Sequence, residues 1–309
     1  EVLTFSRLAD RVFAVVGGLA QQMLTPAGQL LTLQEAARRV QVGLTAWSGL
    51  ADKPELLSET LALIDECKSC MIEPEMLFRA SEESALDEDA ALSAKLRDLA
   101  QILTQYDSLC GETLPDPRDR LTHLRDGLAE SHVLNGAEVY LDGFLSYTPQ
   151  ELAIIEVMLS SGVPLTAAVT CDVELPDVFV TGCRTLRTLT RMAERCSRSP
   201  ELVDLGEGKM PRPAGLAAVA NEALLPVRQA HEDASGVRLY EAASPFDECE
   251  HAAAYIRRKV RDEGAHYRDF VIAARDIGPY SASLAMAMGR YDIPMFLADK
   301  PDLLSRPPM

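Results

Sequence analysis

This 309-residue sequence predicts an α/β protein with two parallel-sheet halves and an all-helical insertion in the first half. Two observations carry that reading. Strand–helix–strand alternation with short links occurs at residues 138–170 and again at 237–297, and such alternation builds parallel sheets. Between residues 22 and 132, by contrast, apolar residues recur only at helical spacing.

Val2-Leu3-Thr4-Phe5 reads as a short strand, with Ser6 capping a helix to about Val16 that Gly17-Gly18 stops. Leu8, Val12, Val15 and Val16 share one face of that helix. In the insertion, Leu57, Leu61 and Ile64, then Leu92, Leu96, Leu99 and Leu103, form heptad-like sets. Its breaks are expected at Asp52-Lys53-Pro54, Ser81 to Asp89 and Leu114-Pro115-Asp116-Pro117. Glu138-Val139-Tyr140-Leu141 then reads as a buried strand ending at Asp142-Gly143-Phe144. Thr148-Pro149-Gln150-Glu151 is a helix start with Thr as N-cap, Pro in the first turn and Glu completing a capping box. The helix runs to about Leu159, and Val163 to Thr170 is the next strand. Residues 200–236 read as linker and a loose helix. Strands are expected at Val237 to Tyr240, Phe270 to Ala273 and Ile293 to Leu297. Helices are expected from Phe246 to Glu263, with Cys249, Ala253, Ile256 and Val260 inward and Gly264 as the cap, and over 280–290.

Hydrophobic residues make up 47% and charged residues 25%, enough apolar material for real cores. No stretch reaches the roughly 18–20 apolar residues that cross a membrane. No basic-then-apolar leader opens the chain. A sequence that opens on Glu1, in mid-strand, is expected to be cut from something longer. The seven cysteines are scattered, and a reduced, cytoplasmic protein is the expectation. Cys67 and Cys70 form the close pair, but no second pair or His pair follows, so they read as two thiols on a helix.

The net charge of −17 argues against a nucleic-acid partner only if it is evenly spread. It is not. Residues 50–132 hold 19 acidic and 8 basic side chains, whereas residues 1–49 carry a net charge of +1. A nucleic-acid surface is therefore expected outside the acidic segment.

Nucleotide hydrolysis on such a fold needs a phosphate-binding loop, and no Gly-x-x-x-x-Gly-Lys-Ser/Thr occurs. Gly206-Glu207-Gly208-Lys209 has the wrong spacing and no strand leading into it. Val139-Tyr140-Leu141-Asp142 has the shape of a Walker B strand, whose Asp holds Mg²⁺. The next position, where a carboxylate would orient the attacking water, is Gly143. Asp142 and Gly143 thus read as a degenerate site. Arg184, Arg187, Arg191, Arg195 and Arg198 fall in a helical stripe about 80° wide, opposite Leu186, Leu189, Met192 and Cys196. The stripe is either a solvated face or a contact for phosphates or an acidic partner, the acidic segment 50–132 included. His123, His132, His231, His251 and His266 show no ligand spacing.

Several of these segments, taken in order, resemble the AddB family, the helicase-like subunits of bacterial AddAB helicase–nucleases. Leu3-Thr4-Phe5-Ser6-Arg7-Leu8-Ala9 is similar to motif Ia of UvrD-type helicases. Val139 to Phe144 with Thr148 to Glu151 resembles the family's degenerate Walker B strand and following helix, and Thr170-Cys171-Asp172 the end of the next strand. Tyr267 to Asp276 and Tyr291 to Phe296 look like its second RecA-like domain. The resemblance implies two RecA-like halves, with 1–21 and 133–200 in the first, 22–132 a 1B-like insertion, and 201–309 a linker and the start of the second. It places the family's phosphate loop before residue 1, and its nuclease domain and iron–sulfur cysteines beyond Met309, so no cofactor is expected on these residues. Mg²⁺, ATP and the cluster would belong to the parent protein.

The function implied is a non-hydrolysing module that binds single-stranded DNA beside an AddA-type motor subunit and scans for the Chi hotspot in break repair. Thr4, Phe5, Ser6, Arg7 and Phe144 are the positions implied on the DNA path, with Arg187, Arg191 and Arg195 added from the stripe. Phe5 and Phe144 have competing readings as core residues. Asp10 departs from the family, which often carries an aromatic there, and an acidic group would repel phosphate. Two rival readings stay open: an active ATPase lacking only its phosphate loop, and a structural subunit that docks the motor without touching DNA.

Overall fold

The structure, a computed structural model, describes residues 1–87, 89–112, 114–172, 175–205, 212–222, 225 and 230–297. It divides into two compact units, Glu1–Leu205 and Gly206–Met309.

The first unit opens on a helix, α1 (Phe5–Val16), and not on the expected strand. Thr4, not Ser6, is the N-cap: its side chain accepts from the Arg7 N–H at 3.2 Å. That bond closes the first turn around Phe5 and Ser6 and overrides the strand propensity of the apolar run. Gly17, at φ +97°, ends the helix as the sequence predicts.

Four helices follow, α2 (Pro26–Val40), α3 (Pro54–Ser69), α4 (Pro74–Leu86) and α5 (Ala90–Glu112). The first three begin with proline, whose missing N–H costs nothing in a first turn. The break expected at Ser81 to Asp89 starts later, because α4 continues to Leu86 and buries Ser81 against Ser93. Leu33, Leu50, Ile64, Ile102, Leu103 and Tyr106 fill the core of this bundle, whereas Leu92 stays 44% exposed, outside it. Asp116 is fully buried and accepts from Gln29 Nε2 at 2.8 Å, the Tyr106 hydroxyl at 3.0 Å and the Arg118 N–H at 3.1 Å. Lys68 reaches Asp107 at 2.7 Å and Asp119 at 2.8 Å beside it. The acidic segment is thus partly an internal polar network.

A second core joins α1 to α6 (Arg120–Ser131), β1 (Val139–Leu141), α7 (Pro149–Ser160), β2 (Leu165–Ala167) and α8 (Val180–Arg195). Leu124 and Leu128 place α6 in this core, on the sheet side of the insertion. β1 and β2 pair in parallel, Val139 with Leu165, Tyr140 with Thr166 and Leu141 with Ala167. Both strands are shorter than the sequence suggests. The capping box at Thr148 and Glu151 forms as predicted.

The second unit contains α9 (Ala214–Glu222), α10 (Pro245–Glu263) and α11 (Ser281–Arg290). Cys249, Ala253 and Ile256 of α10 are buried against Leu284, Ala287 and Met288, and Gly264 at φ +73° caps α10. The strands expected at Val237 to Tyr240, Phe270 to Ala273 and Ile293 to Leu297 do not form among the described residues. Leu239, Val271 and Phe296 are 99%, 89% and 92% exposed. An apolar run becomes a strand only when a neighbouring backbone completes its hydrogen-bond ladder, and among the described residues these runs have none.

Candidate nucleic-acid interface at the carboxyl edge of the strands

In open parallel sheets, ligands bind beyond the carboxyl ends of the strands. Here that edge consists of the residues following Leu141 and Ala167, held together by the Ala168 N–H donating to the Leu141 carbonyl at 2.8 Å. The chain leaves β1 through Asp142, which is exposed, and Gly143, at φ +81°. A Cβ at 143 would meet no atom within 4 Å, so the constraint there is backbone conformation and not space. The Walker B shape of the strand would put Mg²⁺ at Asp142. The described residues contain no cluster of three or more metal-ligating side chains, and Asp142 offers one carboxylate with a glycine beside it. That donor set does not by itself make a metal site. Gly206 to Lys209 lie outside the described residues.

Phe144 anchors the edge. Its ring meets Phe5 edge to face at 5.6 Å and stacks on Tyr147 at 5.0 Å. Tyr147 keeps its hydroxyl buried without a hydrogen-bond partner among the described residues; burial, then the Glu151 carboxylate, pushes its pKa up. Phe5 is buried in the core, which is its packing role. Thr4, Ser6 and Arg7 stand exposed on the first turn of α1. Around them the charges are largely matched: Arg11 pairs with Glu1, and Asp10 pairs with Arg120, whose guanidinium also lies over the Phe13 ring at 5.0 Å. The repulsion expected from Asp10 is therefore offset by Arg120. Among the described residues the Arg7 guanidinium has no ion-pair partner.

Helix α8 reaches the same edge with its N-terminus. A Cβ on Gly182 would lie 2.0 Å from the Thr170 carbonyl oxygen, so only glycine lets α8 approach the end of β2 this closely. The Thr185 hydroxyl donates to the Leu145 carbonyl at 2.9 Å, tying α8 to the loop after β1. The far end of α8 lies at the end of α7, where Arg198 Nε donates to the Leu159 carbonyl at 3.1 Å and Arg195 meets Glu156 at 3.4 Å. The stripe arginines are all exposed, opposite Met192, which is buried, and Leu186, Leu189 and Cys196, which are half-buried. Arg187 sits near enough to Cys171 for its charge to act on that thiol, but Arg195 is about 12 Å further along the helix. The structure thus gathers Thr4, Phe5, Ser6, Arg7 and Phe144, sets Arg187 close to the edge, and leaves Arg191 and Arg195 progressively further away.

The sequence reading missed Tyr147, Gly182, Thr185 and the meeting of Cys171 with Cys183, whose sulfurs are 3.2 Å apart. Burial, then the Cys183 thiol, pushes Cys171 up to about 11. Spacing gives no signal for that pair; Cys67 and Cys70, which are close in sequence, are both free thiols.

A short parallel sheet flanked by helices, with a helical bundle inserted before it, defines an α/β module whose open edge is lined by the exposed Arg7 and an aromatic pair. The chain belongs to the AddB family: the family model described as "ADDB, N-terminal" matches residues 1–212. It is 28% identical over 317 residues to a protein of Thermoanaerobacter sp. (strain X514), and 29% identical over 320 residues to one of Desulforamulus reducens. A third relative, from Acetivibrio thermocellus, is 27% identical over 330 residues. All three are named as a subunit of an ATP-dependent helicase/deoxyribonuclease. Each alignment covers 99% of this chain but only 27–28% of the relative, so the chain spans about a quarter of their length. No helix among the described residues is long and apolar enough to cross a membrane.

Proposed function

We propose that this chain is the strand-reading, non-hydrolysing part of a helicase–nuclease subunit, and that single-stranded DNA crosses the carboxyl edge of β1 and β2. The observation that carries the reading is the juxtaposition of the first turn of α1 with Phe144. The first turn of a helix presents N–H groups without intrahelical partners, and its dipole favours an anion. α1 has no acidic residue in that turn. A phosphate held there meets the Ser6 hydroxyl and the Arg7 guanidinium, while the Phe144–Tyr147 stack borders the path where a base would lie. Phe5 acts from beneath by packing against Phe144. Arg187 extends the positive track, with Arg191 and Arg195 further along α8.

Gly143 supports the non-hydrolysing part of the reading, because glycine offers no carboxylate to orient an attacking water. Two RecA-like halves, a motor subunit of the AddA type as partner, cytoplasmic location, and a role in break repair with Chi recognition complete the proposal by family membership. ATP, Mg²⁺ and an iron–sulfur cluster then belong to other parts of the assembly. The test is single-stranded DNA binding by the wild type and Arg7→Ala across a range of salt.

A further inference from the structure

We infer that the exposed face of α10, in the second unit, is a separate contact surface for single-stranded nucleic acid, built from Arg238, Tyr240, His251, Tyr255 and Arg258. It shares no residue with the α1 site, so either reading can fail without the other.

The segment before α10 lies alongside it in antiparallel order. Tyr240 stacks on His251, with ring centroids 3.5 Å apart and planes 7° from parallel, and Arg238 lies over Tyr255 at 5.9 Å. Arg258 and Lys259 approach the same Tyr255 ring, each at 5.6 Å. Three cations around one ring repel one another, and the ring quadrupole offsets only part of that cost at an exposed site. Lys259 has a carboxylate partner, Glu263, at 2.5 Å. Arg238 and Arg258 have no ion-pair partner among the described residues.

Most neighbouring acidic side chains have other partners, and Glu241 stands exposed beside Tyr240. Asp262 pairs with Arg261 and also feels the charge of Arg258, Glu250 pairs with Arg290, and Asp247 accepts from Ser244. Glu248 bonds the Tyr280 hydroxyl. Arg238 and Arg258 thus form no ion pair among the described residues, Asp262 offsets Arg258 only in part, and an anion placed between the two guanidinium groups relieves their repulsion.

Charge alone would suit any acidic partner, and the aromatic pair narrows the choice. One face of Tyr240 rests on His251, and the residue keeps 53% of its surface exposed. An open ring next to unpaired guanidinium groups is the combination that binds single strands: bases stack on the ring while phosphates meet the cations. An acidic protein surface would use the arginines and leave the ring idle.

The experiment compares oligo-dT with an abasic oligonucleotide of equal length, titrated against the 309-residue chain. Tyr240→Ala is expected to weaken oligo-dT binding about tenfold, leave the abasic strand unchanged, and do the same in an Arg7→Ala background. Tyr240→Phe, which keeps the ring, should retain wild-type affinity. Arg238→Gln with Arg258→Gln should weaken both oligonucleotides and reduce the salt slope by about 0.7 per lost contact. Melting temperature, followed in every variant, is expected to hold. Tyr240→Ala without effect on oligo-dT overturns the inference. So does polyglutamate competing for the arginine pair as well as oligo-dT does, which would assign the face to an acidic protein.

Discussion

Phe5 and Phe144 meet edge to face, 5.6 Å between ring centroids with planes 63° apart, and this contact joins the first turn of α1 to the loop that leaves β1. Phe5 is buried, so removing its ring leaves a cavity beneath the proposed DNA path. Phe5→Ala should destabilise the first unit by about 3–5 kcal/mol in urea denaturation. A double-mutant cycle with Phe144→Ala should give a coupling of about 0.5–1.5 kcal/mol. A loss under about 1 kcal/mol for Phe5→Ala would show that the ring is not core.

Catalysis provides a second prediction. Asp142 is exposed at the end of β1 and Gly143 follows it at φ +81°. The 309-residue chain should therefore show no Mg²⁺-dependent ATP turnover, and Asp142→Ala should change nothing. Turnover that disappears in Asp142→Ala would restore the rival reading of an active ATPase.

The helical bundle should weaken in alkali. Burial, then Asp116, raises the pKa of Tyr106 and pushes the Cys110 thiol up to about 11. Burial pulls the Lys68 ammonium down, but Asp107 and Asp119 outweigh it and the net shift is upward. All three groups bind protons more tightly when folded than at their ordinary values of 9.0, 10.0 and 10.5 for Cys110, Tyr106 and Lys68. Their stabilisation is complete below those values and is lost as pH rises above them. Denaturation midpoints in reducing buffer should hold from about pH 7 to 8.5 and fall between about pH 9 and 11, and Cys110→Ala should delay the onset. A midpoint that rises over that interval would contradict the assignment.

The arginine stripe makes a graded prediction. Arg195 meets Glu156 with 66% and 45% of the two side chains exposed, a pair that contributes little to stability. No bond among the described residues ties the stripe to residues 50–132, so replacing Arg187, Arg191 and Arg195 by Gln should leave the melting temperature in place. If the track extends from the strand edge, affinity for single strands should fall most with Arg187→Gln and least with Arg195→Gln. Equal, negligible losses at all three positions would mark a solvated face.

Local chemistry was legible in the sequence and long-range pairing was not. The Thr148 capping box with Pro149 in its first turn, the Gly17 and Gly264 stops and the inward face of α10 all depend on residues within one or two turns, and each is found as read. Val2 to Phe5 misled because a single hydroxyl on Thr4 outweighed apolar composition. Leu239, Val271 and Phe296 misled because strand formation depends on a partner backbone that composition does not reveal. At the candidate site, motif resemblance named Arg7 and Phe144, which the fold sets at one edge, but the Gly182 approach to Thr170 and the Cys171–Cys183 contact arise only once α8 folds back along the sheet. The cations around Tyr255 were hidden for the same reason, since Arg238 reaches that ring from another segment.

The central claim is that the first turn of α1 holds a phosphate of single-stranded DNA, and binding by wild-type and Arg7→Ala chains across a salt series tests it most directly. Arg7 is exposed and outside the core, so the substitution should leave stability within about 0.5 kcal/mol. The account predicts weaker binding by Arg7→Ala and a log–log salt slope reduced by about 0.7, the signature of one lost single-strand phosphate contact. Identical affinities and slopes for the two proteins would contradict it.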